Sequence, residues 1–88
     1  MQQSANKPTP ADRETEIHRN AYNAAFNELG LTWFWDSDTH HRLQANADER
    51  TRIRVYLETQ QSHLLKAYDA DFLVNAIHTT KQRRYASM

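Results

Sequence analysis

The densest group of side chains able to do chemistry is the run Trp35-Asp36-Ser37-Asp38-Thr39-His40-His41. Asp36 and His40 stand four residues apart and Asp38 and His41 three apart, so on a helix each carboxylate shares a face with an imidazole. Carboxylate and imidazole together can ligate a metal ion or transfer a proton. A complete site needs further ligands or an oriented nucleophile at defined spacing, and the sequence offers neither. Capping and a polar surface are the simpler reading, because Asp is favoured at helix starts by the dipole and by free backbone N–H groups. Asp36, Asp38, His40 and His41 are thus weak metal candidates, and no catalytic residue, metal or cofactor is assigned. His63 and His78 are isolated on predicted long helices and read as packed or exposed. A Gly-rich phosphate loop, His-Glu-x-x-His and Gly-x-Ser-x-Gly are all absent, and with no Cys there is no thiolate ligand or nucleophile.

The elements that would hold these residues are helices. The chain has 88 residues, 11 Lys plus Arg against 11 Asp plus Glu, one Gly and two Pro, which is one domain with too few turn formers for a sandwich or barrel. Leu, Ile, Val and Phe supply only 15 residues, and nine aromatic residues make up the apolar area. Met1 to Pro8 read as a flexible polar tail before a single helical domain over residues 9–88. Thr9 as N-cap and Pro10 at the first position start a helix that runs to Leu29, with Ile17, Ala21, Ala24, Ala25, Phe26 and Leu29 on its inner face and Gly30 just past its end. Asp36 caps a short helix to about Gln44. Asn46 and Glu49 form a capping box for a helix to about Tyr68, with Ile53, Tyr56, Leu57, Gln60, Leu64 and Tyr68 inward. Asp69 caps a last helix with Phe72, Leu73, Ala76, Ile77 and Tyr85 inward. The expected fold is all-α: a small antiparallel bundle of three long helices and one short one.

Between the first two helices, Leu31-Thr32-Trp33-Phe34-Trp35 reads as an extended connector pinned by aromatic rings. Trp33 and Trp35 are taken to point to opposite sides, so that the core buries one and leaves the other at an interface; Trp33, Phe34 and Trp35 are the interface candidates. Basic residues gather at Arg50, Arg52 and Arg54 and at Lys81, Arg83 and Arg84, but acidic neighbours and zero net charge argue for a solvated face and against nucleic acid. No apolar run suits a membrane span or a signal peptide, so a cytoplasmic location is expected.

The run from Glu16 to Leu43, EIHRNAYNAAFNELGLTWFWDSDTHHRL, resembles the start of the cap domain in the CbbY-like branch of the haloacid dehalogenase superfamily, which includes sugar-phosphate phosphatases and phosphoglucomutases. That family reads Glu-x-His-Arg-x-Ala-Phe-Asn-x-Ala-Phe and then Gly-Leu-x-Trp-x-Trp-Asp. Arg52 to Glu58 is similar to its Arg-Ile-x-x-Tyr segment, and Ala76 to Tyr85 to its Leu-His-x-x-Lys-Thr-x-x-Tyr helix. The resemblance implies a helical cap whose catalytic Asp-x-Asp-Gly-Thr loop stands about a dozen residues before the His-Arg pair. Here that stretch is Lys7 to Glu16, with no such loop, and the family's Gly-Gly-Lys-Glu-Arg segment reads Asp48-Glu49-Arg50-Thr51-Arg52. Glu16 and His18 match hinge positions near the family's active-site entrance. The expectation is a non-enzymatic, cap-like module that binds a protein partner or a second copy of itself. The alternative is a cap fragment serving a core on another chain.

Overall fold

The computed structural model describes residues 10–88, so the expected tail and the Thr9 cap lie outside the described residues. Helix α1 (Pro10–Glu28) buries Ala21, Tyr22, Ala25 and Phe26, a stripe recurring every four residues. It ends at Gly30, whose φ of 76° is the left-handed conformation that L side chains resist. The Leu31 N–H then donates to the Phe26 carbonyl at 2.8 Å and the Gly30 N–H to that of Asn27 at 3.1 Å, which satisfies carbonyls the helix end would leave bare. A Cβ at Gly30 would meet nothing within 4 Å, so backbone angle and not space calls for glycine there.

The connector runs without regular structure from Leu31 to Asp36. Its register is fixed by Asn23, which accepts the Trp35 N–H at 2.7 Å and donates to the Trp35 carbonyl at 2.9 Å, with Arg19 adding a second donor at 3.3 Å. Trp35 is fully buried and Trp33 half-buried, and both rings pack edge-on to Phe26 (5.1 and 5.3 Å) and Tyr56 (5.2 and 5.4 Å). The expectation that the two tryptophans point apart is therefore corrected. Alternation along an extended chain puts residues two apart on one side, and it is Phe34, 67% exposed, that points away.

Asp36 caps α2 (Ser37–Leu43) by accepting the Thr39 N–H at 2.8 Å. Helix α3 (Glu49–Gln60) is capped by Asp48, which accepts the Thr51 N–H at 3.0 Å; the Asn46 box is not formed, because Asn46 turns back to the Leu43 carbonyl. The helix expected to reach Tyr68 stops at Gln60, and Ser62–Lys66 form a separate 3₁₀-helix. Thr59 to Ser62 carry no apolar side chain to hold a helical face, and Ser competes for backbone hydrogen bonds. Asp69 caps α4 (Ala70–Ala86) through the Phe72 N–H at 3.1 Å.

Helix α4 packs along both α1 and α3, while α2 touches α1 and α3. The core is Tyr22, Phe26, Trp35, Leu43, Ile53, Tyr56, Leu57, Val74 and Ile77, an all-α bundle of three longer helices and one short one with no strand among the described residues. On α4 the expected Ile77 is buried and Leu73 packs against the core, while Val74, Thr80 and Lys81 complete the inward stripe; Phe72 is exposed, as is Tyr68, and Ile17, Leu29 and Gln60 also face outward. No helix of the described residues is long and apolar enough to cross a membrane.

Candidate functional site

Burial of Lys81 is the feature that a reading of the basic residues as a solvated face misses. Its side chain is 0% exposed, with Nζ 4.8 Å from the centre of the Tyr22 ring and 5.1 Å from that of Tyr85. Ammonium over aromatic faces is favourable, but a buried cation also needs an anion. Glu49, the first residue of α3, supplies it, its Oε2 accepting from Nζ at 2.7 Å. His18 Nδ1 lies 2.8 Å from the same nitrogen, and His78 Nε2 lies 3.3 Å from Glu49 Oε1. His18 Nε2 is 3.1 Å from Glu14 Oε2, and the His18 ring stacks on Tyr85 at 4.4 Å and 7°. The Tyr85 hydroxyl donates to Glu14 as well. Three helices, α1, α3 and α4, thus meet in one polar cluster.

Burial acts to raise the Glu49 carboxyl, but the hydrogen bond and charge of Lys81, with His18 and His78 behind them, outweigh it and hold the group below the ordinary glutamate value. Both Glu49 carboxylate oxygens have partners inside the cluster, Oε2 with Lys81 and Oε1 with His78. These contacts tie the three helices together. Sequence reasoning missed Glu49 and Lys81 as partners because they lie 32 residues apart, and only the packing of α3 on α4 joins them.

The Asp36 to His41 group is divided by the fold. Asp36 is consumed as the α2 cap, and the Thr39 N–H holds its carboxyl below the usual range. His40 is buried against Tyr22 (5.7 Å) and Trp35 (6.1 Å) with no hydrogen bond at Nε2. Burial lowers its pKa to about 4, helped by Arg52 and Arg19, so it is neutral at pH 7. Asp38 and His41 stay at the surface, where they line a groove of about 470 Å³ with Glu16 and Arg19. Among the described residues no group of three or more His, Cys, Asp or Glu is placed to hold a metal ion. Glu16 and His18, neighbours in sequence, part: Glu16 pairs with Arg19 at 3.6 Å while His18 enters the Lys81 cluster.

The other members of the two basic clusters are also paired within the chain. Arg50 donates to Asn75 and Arg54 to Asp71, Arg52 holds the Asn46 carbonyl at 2.7 Å, and Arg83 and Arg84 share Glu28. A second groove, about 620 Å³, is of mixed character: Leu31, Trp33, exposed Phe34, Tyr56 and Leu64 line it together with the polar Thr32, Gln61 and His63.

No family model matches the chain, and no solved structure matches it. Curated proteins do. The chain is 36% identical over 78 residues, 89% of its length, to Protein CbbY, plasmid, of Cupriavidus necator. It is 32% identical over 73 residues to Protein CbbY of Cereibacter sphaeroides and 29% identical over 73 residues to that of Rhodobacter capsulatus, 83% of this chain in both. It spans about 30% of the length of each of these relatives. Over most of its length, this chain resembles one part of a CbbY protein.

Proposed function

We propose that this chain is a non-enzymatic helical module that acts by binding, and that a second copy of the chain is its first partner. The observation that carries the reading is a knob beside a hole: Phe34, 67% exposed, is part of the wall of a groove whose apolar members are Leu31, Trp33, Tyr56 and Leu64 and whose polar members include Thr32, Gln61 and His63. A two-fold dimer uses the same patch on both subunits, so an aromatic knob next to its own groove is self-complementary. Zero net charge adds no repulsion between copies. The polar groups that could do chemistry, Glu49, Lys81 and His18, are instead bound to one another. Light scattering on the wild type and Phe34→Ala tests this reading: a mass above 10.4 kDa that falls to 10.4 kDa in the variant supports it, and monomers in both oppose it.

A second reading is favoured by the CbbY similarity: the chain is cap-like and closes on a haloacid-dehalogenase-type core carried by another chain. Such a core would bear the Asp-x-Asp-Gly-Thr sequence that the 88 residues lack. A cytoplasmic location fits either reading. An adjacent reading frame encoding that core, and its co-purification with this chain, would favour the cap; phosphatase activity would then belong to the pair.

A further inference from the structure

The His18 imidazole sits between two groups that fix where its proton is. Lys81 Nζ stands 2.8 Å from Nδ1, and an ammonium has only donors, so Nδ1 accepts and carries no hydrogen. Nε2 stands 3.1 Å from Glu14 Oε2, and a carboxylate only accepts, so the ring's single proton is on Nε2. Stacking on Tyr85 at 4.4 Å holds the ring in this orientation. A second proton, on Nδ1, would face the Lys81 ammonium at hydrogen-bond distance, donor against donor and charge against charge. The next acceptor is Glu49 Oε2, 3.7 Å from Nδ1 and the same oxygen that Lys81 uses.

We infer that protonation of His18 exchanges the partners in this cluster. The bond from α1 to α4, between His18 and Lys81, gives way to one from α1 to α3, between His18 and Glu49, while Glu14–Tyr85 and Glu28–Arg83 continue to hold α1 on α4. The groups facing His18 are Glu14 from α1, Glu49 from α3, and Lys81, His78 and Tyr85 from α4. Among the imidazoles here only His18 loses an acceptor on protonation; His78 presents a donor to Glu49 Oε1 in both states. The exchange is internal to one chain and does not depend on self-association.

Nuclear magnetic resonance of the full ¹⁵N-labelled chain tests this, following the His18 ring nitrogens and Lys81 Nζ as pH is lowered. Neutral His18 is expected with Nε2 protonated and Nδ1 bare, and the Lys81 Nζ resonance is expected to shift at the same midpoint as the His18 ring. His18→Gln, whose amide oxygen can accept from Lys81 without titrating, is expected to lose that Lys81 shift, and His78→Gln to keep it. Nδ1 protonated in the neutral ring, a Lys81 signal that stays flat while His18 protonates, or an unchanged transition in His18→Gln would each overturn the inference. Should His18→Gln fail to fold, the wild type and His78→Gln decide: coincident His18 and Lys81 midpoints uphold the exchange, and separate ones refute it.

Discussion

Asn23 of α1 holds Trp35 by both of the tryptophan's backbone polar groups, accepting its N–H at 2.7 Å and donating to its carbonyl at 2.9 Å. A side-chain amide here does what a neighbouring strand would do, and it sets which way each ring of the connector faces. Asn23→Ala removes both bonds, leaving the Trp35 N–H unpaired and its carbonyl to Arg19 alone, at an expected loss of about 1–3 kcal/mol. Asn23→Asp keeps the acceptor and loses the donor, so it should lie between the two. Urea unfolding followed by circular dichroism gives the order, and a wild-type midpoint in Asn23→Ala would show that packing alone fixes the connector.

Within that connector, Trp35 and Phe34 should separate. Trp35 is fully buried among Tyr22, Phe26 and Tyr56, and Trp35→Ala is expected to lose about 3–5 kcal/mol, enough to unfold much of a domain this small. Phe34→Ala, at an exposed position, should change stability by no more than about 0.5 kcal/mol. Thermal melts of the two variants give the comparison directly; equal losses would mean that Phe34 is part of the core.

A buried ion pair is costly to break by halves. Glu49→Ala leaves Lys81 inside without an anion, and because the Glu49 side chain is 24% exposed the expected loss is about 2–3 kcal/mol, below that of a fully buried pair. Lys81→Met places an apolar chain between the Tyr22 and Tyr85 rings, and the double variant should recover most of the Glu49→Ala loss. A double-mutant cycle measures the coupling. Additive losses would show that the two side chains act independently.

His40 should make the fold sensitive to mild acid. Its folded pKa of about 4 lies below the ordinary histidine value, so between pH 6.5 and 4 the unfolded chain binds a proton that the folded chain refuses. Stability from this group is complete above about pH 6.5 and declines as pH falls, by up to about 3 kcal/mol near pH 4. The Glu49 contribution has the lowered-carboxylate sign and is lost only at lower pH, as the solution passes through its depressed value. Denaturation midpoints from pH 7 to 4 should therefore fall less in His40→Phe than in the wild type, and parallel curves would count against the assignment.

Local features were legible in the sequence and distant ones were not. The caps Asp36 and Asp69 and the left-handed Gly30 each act within a few residues, and the structure has all three where the pattern puts them. Asn46 and Asp48 are both able to cap, and geometry chose Asp48 because Asn46 is used in closing the end of α2. The break after Gln60 was hidden because Leu64, Leu65 and Tyr68 continue a helical spacing that the polar stretch before them cannot support. Lys81 looked like a surface cation because its type and neighbours say so; only the arrival of Glu49 and His18 from other helices makes its burial affordable. For Trp33 and Trp35 the period of two was available in the sequence and assigns them one common side, as the structure has it.

Mass in solution, by light scattering across a range of concentrations, bears most directly on whether this chain works by binding itself through the Phe34 groove. The expected result is a wild-type mass approaching twice 10.4 kDa as concentration rises, and a Phe34→Ala variant that stays at 10.4 kDa with its helical circular dichroism intact. A wild type that remains at 10.4 kDa at every concentration, or a Phe34→Ala variant that associates as the wild type does, would contradict it.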